Sequence, residues 1–215
     1  CSKNSGGRRA PQGQLWNGCL MPTVISHAVV GLGGASLVMP RGEHARRFFL
    51  YAALAPALPD ADAALMRWIP YSHVFGHRGF SHSLLFALVA GLGLALLLRQ
   101  CCAGFPGRYW GLAAFFSALV ASNGALDALT DGGLGVAFFA PFSNARYFLP
   151  FRPIGFHGVA TPYFAEVMAV ECLLLWAPAL AAFLWRCERR AWARPAAAGL
   201  LALSLACWVT RLAWP

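Results

Sequence analysis

The sequence predicts an all-α protein, a polytopic transmembrane bundle of about five to six helices. Three observations lead there. Hydrophobic residues make up 59% of the 215-residue chain and charged residues only 12%, with a mean hydropathy of +0.57; an ordinary soluble domain carries about twice that charge. The apolar residues fall in blocks of roughly 15–22, the length a bilayer demands of a helix. Arginines gather in the short breaks between these blocks. In a soluble protein the formal net charge of +9 would suggest nucleic acid. Here it reads as anchoring in membrane lipid, and no nucleic-acid partner is expected.

Residues 1–20 (CSKNSGGRRAPQGQLWNGCL) are rich in Gly, Ser, Arg and Gln without a period, and lack the apolar core of a signal peptide. They read as a disordered, upstream-translated or non-native extension, with Met21 as the natural start. Residues 21–215 form a single membrane-embedded domain. Thr23 or Ser26 can cap a first helix running to about Met39, with His27 in its first turn and Gly31, Gly33 and Gly34 suited to close packing in lipid. A basic loop, Pro40–Arg47, leads to a second apolar block, Phe48–Met66, broken by Pro56 and Pro59. Trp68–Ser81 is a histidine-rich connection, with Ser81 placed to cap a helix begun by His82. Further helices are expected over Leu84–Leu98, Tyr109–Thr130, Pro162–Trp185 and Ala196–Ala213, with a long Gly/Pro/aromatic loop across Gly132–Pro162. The seven cysteines include no CxxC pair and read as apolar filler.

If each block crosses once, loops 40–47, 99–108 and 186–194 share one face and hold nine arginines: 41, 46, 47, 99, 108, 186, 189, 190 and 194. Past Met21, the other face holds Arg67, Arg78, Arg146, Arg152 and Arg211. The arginine-rich face is therefore expected in the cytoplasm. On the external side fall His27, Asp60, Asp62, His77, His82, Asp127, Asp131, Glu166 and Glu171, which include six of the chain's eight acids.

That convergence suggests a site. Tyr71–Ser83 (YSHVFGHRGFSHS) packs His73, His77 and His82 between apolar runs, and neutral imidazole is the commonest nitrogen ligand for zinc. Asp60 and Asp62 would face one ion if the segment is extended; in a helix they would diverge into one ligand and one cap. Asn123 and Asp127 lie i, i+4 on one helix face. Glu171 is an acid inside a membrane helix, where function is the default reading. Gly79 permits a tight turn, and Arg78 can pair with a carboxylate or a phosphate oxygen. His73 and His157 read more readily as structural.

His27, Pro59-Asp60-Ala61-Asp62, His77–Ser83 (HRGFSHS) and Ser122–Asp127 (SNGALD) together resemble the YdjM-like membrane-bound metal-dependent hydrolases. The resemblance covers about Met21 to Pro178, includes the later run Gly132–Ile154, and is most specific in HRGFSHS. It implies a site at one end of the bundle, distantly similar to that of zinc-dependent phospholipase C. Family members tend to carry an acid at the position of Glu171. They usually have His where this chain has Asn123, a departure that bears on metal affinity and activity.

The first reading is thus a membrane enzyme of a bacterial or archaeal inner membrane, its site facing the external, periplasmic side. It would hold roughly one to three divalent ions, zinc first among them. The ligand candidates are His27, Asp60, Asp62, His77, His82, Asn123, Asp127 and Glu171. The ion would lower the pKa of a water toward about 7. Asp62 or Asp131 would take the proton, and Arg78 would steady charge developing on an ester or phosphoester, with a lipid-linked substrate favoured by location. Two rivals stand beside it. One is a non-catalytic metal-binding membrane protein with a site degenerate at Asn123. The other is a proton- or ion-coupled transporter, which would spread polar residues through the bilayer depth.

Overall fold

The computed structural model describes residues 24–38, 42–102, 105, 107–155 and 164–213. Its elements are α1 (Val24–Val38), α2 (Ala45–Leu54), 3-10 segments Ala55–Ala57 and Pro59–Leu65, a 3-10 turn Phe80–His82, α3 (Leu84–Cys101), α4 (Tyr109–Ala128), α5 (Phe164–Glu171), a π segment Cys172–Trp176, α6 (Ala177–Cys187) and α7 (Ala193–Ala213). Among the described residues there is no β-strand, only isolated bridges joining Thr130 to Ile154 and Val136 to Tyr147. The expectations for residues 1–20 and for His157 lie outside the described residues.

Four stretches are long and apolar enough to cross a bilayer: Leu84–Cys101, Tyr109–Ala128, Phe164–Cys187 and Ala193–Ala213. A fifth is Ala45–Ala57 with Pro59–Leu65, if these two, bent by 51°, are one broken span. The all-α transmembrane bundle is as the sequence predicts, with two local corrections, at the start of the last helix and at the cap of α3. The apolar block Phe48–Met66 breaks where its prolines stand: it is α-helical to Leu54, and Pro56 and Pro59 each remove a backbone donor and tighten the chain into 3-10 turns. The last helix begins at Ala193 rather than Ala196; Pro195 is tolerated because first-turn N–H groups have no intrahelical partner. Ser83, not Ser81, caps α3: its hydroxyl accepts from Phe86 N at 3.1 Å, while His82 closes a separate 3-10 turn.

Small residues let the helices approach. A Cβ on Gly31 would run into the Ala52 carbonyl, and one on Gly33 would sit 2.8 Å from Ala179. So α1 lies between α2 and α6 with backbone nearly touching backbone. Phe48 anchors the α2–α3–α4 core, its ring centroid 5.7 Å from Phe105, 5.3 Å from Phe115 and 5.8 Å from Phe116. Ser26 contacts Glu171, and Arg186 donates to the Leu37 carbonyl at 3.4 Å, so α1 runs parallel to α5–α6. Arg47 donates to the Cys101 carbonyl, placing the start of α2 beside the end of α3.

These contacts sort the bundle into two chemically different ends. One carries the N-terminus of α1, the 3-10 segment after α2, the start of α3 and the end of α4. The other carries the arginine-rich connections. The loop after α4 folds over the first end: Leu84 N donates to Phe138 O at 3.0 Å, and Ala137 N to Arg78 O at 2.9 Å.

Candidate metal centre

The HRGFSHS turn has one shape open to it. A Cβ at Gly79 would strike the Val74 and Gly76 carbonyls, so only glycine fits. Arg78 adopts φ 59°, a left-handed conformation that costs a non-glycine residue about 1–3 kcal/mol and persists only where the surroundings impose it. They do so here. Its guanidinium is fully buried, with Nη1 donating to Gly132 O at 2.9 Å, Nη2 to Thr130 Oγ1 at 3.1 Å, and Nε lying 3.1 Å from Asp127 Oδ2.

Around this turn, side chains from four separate segments meet. Asp60, His77 and His82 each offer a ligand atom, all within 4.8 Å of one another. His82 Nε2 lies 3.3 Å from Asp60 Oδ1 and 3.3 Å from Asp127 Oδ2. His27 Nε2 lies 3.7 Å from Asp60 Oδ2 and 3.8 Å from Asp127 Oδ1. Charge-assisted hydrogen bonds run at about 2.7–2.9 Å, so these gaps are too wide for strong ones. The two His82 distances equal the edge of a tetrahedron whose ligands stand about 2.0–2.1 Å from a central zinc, about 3.3 Å, and the two His27 distances are longer. Both nitrogens of His27 and both oxygens of Asp127 are buried without a hydrogen-bond partner. Buried polar atoms left this way are costly, and the donor set therefore fits a divalent ion.

A second tier holds these donors. Asp62 Oδ1 sits 2.6 Å from His77 Nδ1, and its other oxygen accepts from Ser81 Oγ and lies 3.3 Å from His82 Nδ1. The two acids of the Asp-Ala-Asp triplet thus diverge along a 3-10 segment: Asp60 faces the nitrogen side of the cluster and Asp62 braces the rings from behind. Asn123 donates Nδ2 to the Pro56 carbonyl at 2.8 Å and to Asp60 Oδ2 at 3.0 Å. A carbonyl accepts only from a donor, which fixes the amide with nitrogen, not oxygen, toward Asp60.

Burial pushes the His82 imidazole toward neutrality. The carboxylates of Asp127, Asp60 and Asp62 overcome this and raise its pKa well above the ordinary histidine value. Burial, less the influence of Arg78, pushes the Tyr71 phenol up to about 12.

Other expected residues lie elsewhere. Glu171 accepts a hydrogen bond from Ser26 Oγ, which in turn accepts from Trp176 Nε1 at 2.8 Å; it stands beside His27's neighbour in sequence. Asp131 is exposed, with its backbone N–H on Ile154 O. His73 is exposed and its Nδ1 accepts from Phe75 N at 3.2 Å. Sequence reasoning missed Arg146, whose guanidinium reaches the carbonyls of Tyr71 (2.7 Å) and His77 (3.0 Å) and sits 5.3 Å from the Tyr71 ring. Its signal was available: it is the one cation in the run Gly133–Phe151. Ser81 was marked only as a helix cap, not as a partner of Asp62, and nothing in the sequence pattern marked Trp176.

The profile of the family described as YdjM inner membrane protein matches residues 21–214. The inner membrane protein YbcI of Escherichia coli (strain K12) is 36% identical over 170 residues, covering 74% of this chain and 94% of that protein. No solved structure matches.

Proposed function

The chain belongs to the YdjM inner membrane protein family, and we propose that it is a membrane-bound hydrolase dependent on a divalent metal ion, zinc by donor chemistry, acting on an ester or phosphoester. One observation carries this reading: Asp60, His77 and His82 each offer a ligand atom within 4.8 Å of one another, and His27 and Asp127 stand within 3.8 Å of that group, buried and without a hydrogen-bond partner. A bound ion would supply Lewis acidity and a water activated near neutral pH.

The chain's own residues do the rest. His27, His77, His82, Asp60 and Asp127 would hold the ion. Asp62 fixes both imidazoles through their Nδ1 atoms, Arg78 fixes Asp127, and Asn123 fixes Asp60. Asp60 is the most accessible carboxylate of the cluster, its side chain 11% exposed against 1% for Asp127, so water and substrate enter on its side. Arg78 stabilises charge at the site through Asp127 rather than by touching substrate. Glu171 secures α1 through Ser26. The site faces the periplasm, opposite the arginine-rich end, where lipid-linked esters are at hand.

Elemental analysis of purified protein, with turnover of a chromogenic phosphodiester and carboxylester, tests this. Wild type is expected to carry metal and turn over; His82→Ala and Asp127→Ala are expected to lose both. Protein without metal and without affinity for added zinc would end the proposal. One observation favours a second reading, a metal-binding protein without catalysis: Asn123 presents nitrogen, not a ligand atom, to Asp60. Metal bound stoichiometrically with no hydrolysis of any ester would select it.

A further inference from the structure

At the end of the bundle away from the histidines, the connection between α6 and α7 encloses a depression of about 880 Å³, within the range of small-ligand sites of about 300–1,000 Å³. Its walls include Trp185, Arg186, Arg189, Arg190 and Arg194, with Glu188 as the only acid. That acid folds back on its own loop, accepting from Arg189 N at 2.8 Å and Arg190 N at 3.0 Å, with Arg190 Nε 4.0 Å away. One carboxylate against four guanidiniums leaves the depression strongly positive. The flanking stretches Phe164–Cys187 and Ala193–Ala213 are each long and apolar enough to cross a bilayer, which would put this concavity at the level of lipid headgroups. Trp185 and Trp192 are about half exposed at the same level, and the Arg194 guanidinium stands 5.9 Å from the Trp185 ring; amphipathic indoles favour that interface.

We propose that this depression is a binding site for the headgroup of an anionic phospholipid. Guanidinium forks match phosphate oxygens bidentately, and basic pockets between membrane helices suit anionic headgroups. A zwitterionic lipid would place its ammonium among the same arginines. The acyl chains would lie along the outer faces of α6 and α7, where Leu180, Phe183, Leu201 and Leu205 are exposed. This site is independent of the metal cluster.

Native mass spectrometry of the full chain in detergent, titrated with phosphatidylglycerol or phosphatidylcholine, tests it. Phosphatidylglycerol is expected to be retained at least about tenfold better, and excess inorganic phosphate is expected not to displace it. In Arg189→Gln/Arg190→Gln/Arg194→Gln the preference is expected to vanish. In Arg46→Gln/Arg99→Gln/Arg108→Gln, which removes equal charge from the same end, it is expected to persist. Absence of preference in wild type, displacement by inorganic phosphate, or equal loss in both triple variants would each overturn the proposal. The wild-type preference needs no variant to fold.

Discussion

His77 Nδ1 lies 2.6 Å from Asp62 Oδ1. That contact commits one ring nitrogen and leaves Nε2 as the atom able to ligate. Histidines on metals characteristically give their other N–H to a carboxylate, and losing that partner costs about 10–100-fold in affinity. Asp62→Asn is therefore predicted to weaken zinc binding by about that factor while the protein still folds. Isothermal titration of metal-free protein measures it, and an unchanged affinity would strip Asp62 of this role.

Arg78 is the counter-charge to a buried carboxylate. Arg78→Met leaves Asp127 without it, a change that costs about 3–5 kcal/mol when one partner of a buried pair is removed. Arg78→Lys is predicted to recover little, since one ammonium cannot reach Asp127, Thr130 and Gly132 together. Thermal unfolding in detergent reads both variants. Wild-type stability in Arg78→Lys would show that the fork geometry is immaterial.

The raised pKa of His82 gives a pH dependence with a definite sign. A group whose native pKa exceeds its unfolded value stabilises fully below the unfolded value, about 6.5 for histidine, and the gain disappears as pH climbs through the native value. Chelator-treated protein is thus predicted to melt at lower temperature as pH rises above about 6.5. Zinc affinity is predicted to climb over the same window, because the ligating nitrogen must shed its proton. Parallel melts and zinc titrations at stepped pH check the opposed slopes. His82→Asn should flatten both.

Asn123 bridges Pro56 and Asp60 with its amide nitrogen. Asn123→Ala would leave the Pro56 carbonyl without that partner and is predicted to cost about 1–3 kcal/mol. Asn123→His can still donate to Pro56 from one ring nitrogen while offering the other toward Asp60. It is predicted to tighten zinc by about tenfold, or about 1.4 kcal/mol, and to raise phosphodiester turnover. Equilibrium dialysis against zinc buffers is the measurement; a weaker site in Asn123→His would reject the geometry.

The bundle was legible because bilayer length and arginine placement are properties of composition, and these need no tertiary information. HRGFSHS and the paired acids were legible as a polar cluster between apolar blocks. What escaped depended on which atom of a residue faces which neighbour. Asp60 and Asp62 look alike in sequence, yet a 3-10 segment sends one toward the ligand side and the other behind the rings. Arg78 reads in sequence as a partner for a carboxylate or a phosphate oxygen, and only the fold shows that the carboxylate is Asp127. Ser81 and Ser83 are both plausible caps; the 3-10 turn between Phe80 and His82 decides for Ser83. The π segment after Glu171 carries no local signature, and it lies between Glu171 and Trp176, the two side chains that meet at Ser26.

The pairing of Ser26 with Glu171 and Trp176 has a consequence for biogenesis. His27 belongs to the earliest helix described, yet that helix is secured on one side by a segment synthesised more than a hundred residues afterwards. While translation has delivered only the first four helices, Asp60, His77, His82 and Asp127 can already gather, but the imidazole from α1 stands on a half-docked rod. On the metal-site proposal, cation loading would be deferred until the carboxy-terminal hairpin has entered the bilayer, and a nascent chain stalled before it would lack a firmly placed His27.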